Sequence, residues 1–107
     1  MSVDEIALIT RCFAECAETA MRSGTDGIEL MFSYDTLVDA FFYDDRNFRT
    51  DAYGGSVQNR IRFVVEALEA MTKAAGDASK VGIKISPAMA FNDISDADPA
   101  ETYTHLV

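Results

Sequence analysis

Asn47-Phe48-Arg49-Thr50-Asp51-Ala52-Tyr53-Gly54-Gly55-Ser56-Val57-Gln58-Asn59-Arg60 changes character at Ser56. Before that residue the chain runs through a polar loop, Tyr43 to Gly55, with no apolar period over 13 residues. Structureless loops of that length are uncommon inside compact domains and are often functional. Gly54-Gly55 allows a tight turn, and Ser56 has the chemistry of a helix N-cap. Beyond it Ile61, Val64, Val65, Leu68 and Met71 recur at three and four residues, which predicts one helix from about Val57 to Ala75, ended by Gly76. Arg49, Asp51, Tyr53 and Arg60 are expected to serve structure and not chemistry, with Arg and Asp neighbours pinning the loop by ion pairs.

Working outward, each side of the loop carries a short apolar run. Ile28 to Phe32, broken only by Glu29, follows Thr25-Asp26-Gly27 and reads as a buried strand. Leu37 to Phe42 reads as a short helical turn. Val81-Gly82-Ile83-Lys84-Ile85 reads as a second strand, halted by Ser86-Pro87. At the start, Ser2 and Glu5 have capping-box spacing, and Ile6, Ile9, Phe13, Ala17 and Ala20 mark an amphipathic helix from about Val3 to Arg22, stopped at Ser23-Gly24. At the other end, a loop from Ala88 to Asp98 leads to Pro99, which opens a last helix. Helix, strand, helix, strand, helix argues for α/β units with parallel strands. Two strands cannot cover both faces of such a sheet, so the chain is expected to be a piece of a larger α/β fold.

The 107 residues leave room for one domain at most, and 49% hydrophobic with 25% charged is a globular composition. Eighteen acids against nine bases give a net charge of -9, which disfavours nucleic acid and anionic membrane surfaces as partners. No run approaches the roughly 18 apolar residues of a membrane span. The acidic Met-Ser-Val-Asp-Glu start is unlike a secretory signal, so a cytoplasmic protein is expected. Cys12 and Cys16 lack CxxC spacing, and the expectation for them is a buried, reduced place in the core.

The stretch from Asn47 to Arg60 resembles the N-x-R-T-D-x-Y-G-G-S-x-x-N-R signature of the Old Yellow Enzyme family. Asp26-Gly27-Ile28-Glu29-Leu30, with Leu37, Asp39 and Phe41, is similar to that family's D-G-V-E-I-H strand and the turn after it. Val81-Gly82-Ile83-Lys84-Ile85-Ser86-Pro87 is similar to its V-G-x-R-L-S-P strand, and Phe91-Asn92-Asp93 and Asp96-Ala97-Asp98-Pro99 to the segment that follows. The resemblance covers Ser2 to Val107. It implies a partial TIM (βα)8 barrel of about two strands with flanking helices, residues 1–107 forming part of one FMN-binding domain. Members of the family bind FMN, take a hydride from NAD(P)H and reduce activated carbon–carbon double bonds, so the implied substrate is a small enone-type molecule.

Barrel chemistry sits at the C-terminal ends of strands. The resemblance puts Lys84 where the family has an arginine against the flavin N1/O2 edge. A lysine keeps the positive charge and loses the planar fork; the plainer alternative is a strand lysine reaching solvent. At the first strand end the family carries a histidine, then asparagine or histidine, then a tyrosine that donates the proton. Here those positions read Met31, Tyr34 and Thr36. Methionine donates no hydrogen bond and threonine is a weak acid. Tyr34 is the candidate catalytic residue, through its hydroxyl; the alternative for it is a buried core aromatic.

Other candidates carry less. Gly54-Gly55-Ser56 at a helix start is a weak phosphate signal without a P-loop lysine. His105, the one histidine, lies in the terminal helix. Asp93, Asp96 and Asp98 suggest calcium but lack the glycine and final glutamate of an EF-hand loop, so helix capping is expected instead. Three readings follow: a piece of an FMN-dependent oxidoreductase that is inactive alone, a non-catalytic descendant acting as a flavin- or protein-binding scaffold, or a small α/β module that self-associates through open barrel edges.

Overall fold

The computed structural model describes residues 1–34, 36–87 and 98–107. Among these residues the elements run α1 (Val3–Arg22), β1 (Ile28–Phe32), a 3-10 turn (Asp39–Phe41), α2 (Val57–Arg60), α3 (Arg62–Ala75), a 3-10 turn (Ala78–Lys80), β2 (Val81–Ile85) and α4 (Pro99–Leu106). The strands pair as a two-stranded parallel sheet. Two compact units share these elements, Met1–Leu30 with Glu66–Ile83, and Met31–Val65 with Lys84–Val107.

In the first unit α1 begins on the expected capping box. Ser2 Oγ accepts from the Glu5 amide at 3.2 Å, and the Ser2 amide donates to Glu5 Oε2 at 2.6 Å. The same contacts hold the Glu5 carboxyl below its ordinary pKa, the backbone bond from Ser2 being the larger cause. Ile6 and Ala17 are fully buried, Ile9, Phe13 and Ala20 partly so, and Leu30, Ala67 and Met71 complete the unit's buried apolar side chains. Cys12 and Cys16 are exposed, contrary to expectation. The buried stripe of α1 centres on the Ile6–Ala17 line and is too narrow to take in the flank that carries both thiols.

In the second unit the core is aromatic. Phe32, Phe42 and Phe63 are fully buried, and Phe42 meets Phe32 and Tyr103 edge-on with ring centroids 4.8 Å apart in each case. Ser56 caps α2 as predicted, its Oγ accepting from the Asn59 amide at 3.3 Å. The single helix expected from Val57 to Ala75 is instead two, divided at Ile61. Ile61 has φ −80 and ψ −13, nearer zero than helical ψ, and it still bonds back to Val57. Asp98 caps α4 by accepting from the Glu101 amide at 2.9 Å, with Pro99 in the first turn.

Candidate functional site

The signature loop builds the wall of the second unit by clamping main-chain carbonyls. Asn47 Nδ2 donates to the Phe41 carbonyl and, at 2.7 Å, to the Tyr53 carbonyl, while its Oδ1 accepts from the Arg49 amide at 3.1 Å. Arg60 Nε donates to the Phe42 carbonyl at 2.8 Å and Nη1 to Gly55 at 2.9 Å. Arg62 reaches the Ala52 carbonyl at 2.7 Å, and Asn59 the Gly54 carbonyl at 3.0 Å. Arg49 pairs with Asp51, Nε to Oδ1 at 3.0 Å, and its guanidinium lies 5.4 Å from the Phe41 ring centroid. That arginine holds the Asp51 carboxyl below the usual aspartate range. A Cβ at Gly54 would overlap the Arg49 carbonyl, and Gly55 takes φ +83, so both glycines are required by the turn. The expected ion pair is there between Arg49 and Asp51, whereas Arg60 braces the loop through main-chain carbonyls instead.

This wall leads to the strand ends, where the candidate residues stand. In β1 Leu30 and Phe32 are buried and Met31 between them is exposed, the alternation of a strand with one covered face. Ser33, fully buried, donates its hydroxyl to Met31 Sδ at 3.1 Å, and Thr36 Oγ1 donates to the Met31 carbonyl at 3.3 Å. Tyr34 is 54% exposed and has φ +64. It is not the buried core aromatic offered as an alternative. An aromatic residue in the left-handed region is uncommon and costs on the order of 1–3 kcal/mol, the kind of outlier that gathers at functional sites. Lys84 is exposed near the end of β2, between partly buried Ile83 and Ile85.

Met31, Tyr34, Thr36 and Lys84 thus all belong to the second unit and to strand ends. Ser33 was not legible as part of this group; its spacing of two from Met31 was the one available signal. The chemistry of the set suits a flavin: an exposed ammonium matches a polar or anionic ring edge, and an exposed thioether matches an apolar ring face. The Thr36 hydroxyl is engaged by a backbone carbonyl.

The remaining candidates fall elsewhere. His105 Nδ1 contacts the Glu101 carbonyl of its own helix at 2.8 Å. Asp93 and Asp96 lie outside the described residues, as do Phe91 and Asn92. Among the described residues no group of three or more His, Cys, Asp or Glu is placed to hold a metal ion, and no helix is long and apolar enough to cross a membrane.

Residues 1–106 match the family described as NADH:flavin oxidoreductase / NADH oxidase. Flavin oxidoreductase hxnT of Emericella nidulans is 42% identical over 106 residues, covering 99% of this chain and 27% of the fungal protein. A probable flavin mononucleotide-dependent alkene reductase of Leishmania infantum is 43% identical over 99 residues, 92% of this chain and 27% of its own length. Among solved structures, morphinone reductase in complex with tetrahydroNAD superposes with a TM-score of 0.94 at 32% identity, over 99% of this chain and 29% of that one. Old Yellow Enzyme from Pichia sp. AKU4542 gives 0.92 at 27% identity, over 99% and 28%. The chain therefore spans between a quarter and a third of the length of these relatives.

Proposed function

The chain belongs to the NADH:flavin oxidoreductase / NADH oxidase family, and from that premise we propose that it forms two adjacent strand–helix units of a TIM-barrel flavoprotein that reduces activated carbon–carbon double bonds with NAD(P)H. Its architecture is that of a partial barrel. The reading rests on one observation above the others: Lys84, Met31 and Tyr34 are exposed at the strand ends of a single unit, where barrels of this kind place their chemistry.

FMN, when bound, supplies the redox step. Lys84 would supply positive charge toward such a group, which would favour negative charge on it. Met31 contributes an apolar contact, fixed in rotamer by Ser33. Tyr34 presents a phenol that binds an oxygen of a small enone-type substrate or delivers a proton, held in place by its left-handed backbone. The isolated chain lacks the rest of the barrel wall and is inactive alone, with association through open strand edges as its route to a fuller site.

A second reading has its own support. With methionine at the position of the family's oxygen-holding histidine, and Thr36 bonded to backbone, this strand end offers a substrate carbonyl fewer hydrogen-bond donors than the family pattern. A scaffold that binds flavin without reducing alkenes fits that loss. Titrating the chain into FMN, followed by flavin fluorescence and by sedimentation of bound flavin, tests the shared part of both readings. Saturable binding weakened by Lys84→Ala supports a flavin site built by this segment itself; no binding at tens of micromolar chain means that any activity belongs to a larger protein of which this segment is a part. Introducing Met31→His, Tyr34→Asn and Thr36→Tyr in a completed barrel then separates the two, because ene-reductase activity that appears only with these changes supports the scaffold.

A further inference from the structure

The two thiols of α1 are unused by the strand-end site and are placed together. Cys12 and Cys16 lie one helical turn apart on the same exposed flank, and with Glu15, Thr19 and Ala20 they line a shallow open depression in the first unit. Residues four apart on a helix have Cβ atoms roughly 5–6 Å apart. A disulfide needs about 3.5–4.5 Å, so the pair cannot close on itself while α1 remains helical. What such a pair can do is grip one atom between the two sulfurs, each bond being about 2.3 Å for a soft metal.

We propose that Cys12 and Cys16 form a two-thiol site for a single thiophilic atom of the trivalent arsenical class. With a monosubstituted arsenous acid, R–As(OH)2, two S–H and two As–O bonds break, two As–S bonds form and two waters leave. Arsenic stays trivalent and neither sulfur is oxidised, so no oxidant or reductant is required. Two sulfurs on one rigid helix make the second bond intramolecular, which strengthens binding by about 100- to 10,000-fold over a single thiol. Cys12, Cys16 and the neighbouring Glu15 and Thr19 are all exposed, so the depression is accessible, unlike the site of a core cysteine.

Phenylarsine oxide is the probe, added to the 107-residue chain and read by intact mass and by counting remaining thiols. The expected result is one adduct per chain, both thiols consumed, resistant to excess monothiol and released by a dithiol. Cys12→Ser and Cys16→Ser each sit at exposed positions and leave the helix intact by circular dichroism. Each is expected to lose resistance to monothiol. Two adducts on one chain, a single arsenic bridging two chains, or a single-cysteine variant that holds the arsenical as tightly as the parent would overturn the proposal.

Discussion

The hydroxyls of Tyr43 and Tyr103 lie 3.2 Å apart although 60 residues separate them in sequence. Both side chains are buried, and burial followed by the Tyr103 hydrogen bond pushes the Tyr43 phenol well above its ordinary pKa. Asp39, itself fully buried, adds to the upward shift. This contact joins α4 to the chain that follows the first 3-10 turn, inside one unit.

Alkaline titration should show the consequence. The buried Tyr43 phenol should ionise well above the ordinary tyrosine range, so its share of the phenolate absorbance should rise late. Because the folded pKa of Tyr43 is raised, its contribution to stability is complete below the unfolded value of about 10 and is lost as pH climbs through the folded one. Tyr103→Phe should cost about 1 kcal/mol in denaturant unfolding and bring the late step earlier. An unchanged step would remove the pair as its cause.

Asn47→Ala should be among the most damaging single changes in the loop. It deletes the donors to two carbonyls and the acceptor for one amide, leaving groups beside Phe41 and Tyr53 without that partner. A loss of about 2–4 kcal/mol is expected from bonds of this kind in a buried setting. Asn47→Asp should be no milder, since a carboxylate would face two carbonyl oxygens. Urea midpoints for the two variants and the parent settle the comparison.

Acid should loosen the loop through Asp51. Its carboxyl pKa is lowered by Arg49 and by the Tyr53 amide, so the stabilisation is present above the unfolded value of about 3.9 and fades as pH falls through the folded one. In Asp51→Asn that part of the acid dependence should vanish. Proton-linked stability measured between neutral pH and the acid limit checks it, and an identical slope in both proteins would count against the pairing.

Tyr34→Gly should stabilise the chain while weakening the site. Relief of the left-handed backbone contributes about 1 kcal/mol, offset in part by the greater entropy of glycine in the unfolded chain. Tyr34→Ala keeps the backbone cost and loses the phenol, so it should be the less stable of the two. If alanine and glycine give equal melting temperatures, the strain is absent.

Much of the fold was legible because short-range chemistry fixes element ends. Ser2 with Glu5, Ser56, and Asp98 before Pro99 each cap the helix that their spacing announces. Both strands begin and end where their turn residues place them. What was not legible depends on partners remote in sequence. The apolar period of 57–75 runs unbroken through Ile61, so nothing local marked the division of the helix there. Phe63 was outside the predicted stripe, yet it is fully buried, with its ring 4.9 Å from that of Phe41. Cys12 and Cys16 looked like core residues by type and proved to be surface residues by helical phase. At the site, Lys84 and Tyr34 came from a family pattern, while the backbone of Tyr34 and the Ser33–Met31 contact came only with three-dimensional placement.

Several anchors of the signature loop land on peptide oxygens: Asn47 on Phe41 and Tyr53, Arg60 on Phe42 and Gly55, Arg62 on Ala52. Every residue owns such an oxygen, whatever its side chain. Evolutionary constraint therefore falls unequally on the two ends of each bond. Exposed Ala52 can drift among many amino acids without the clamp registering the change, whereas a codon library at Asn47 or Arg60 should return few survivors.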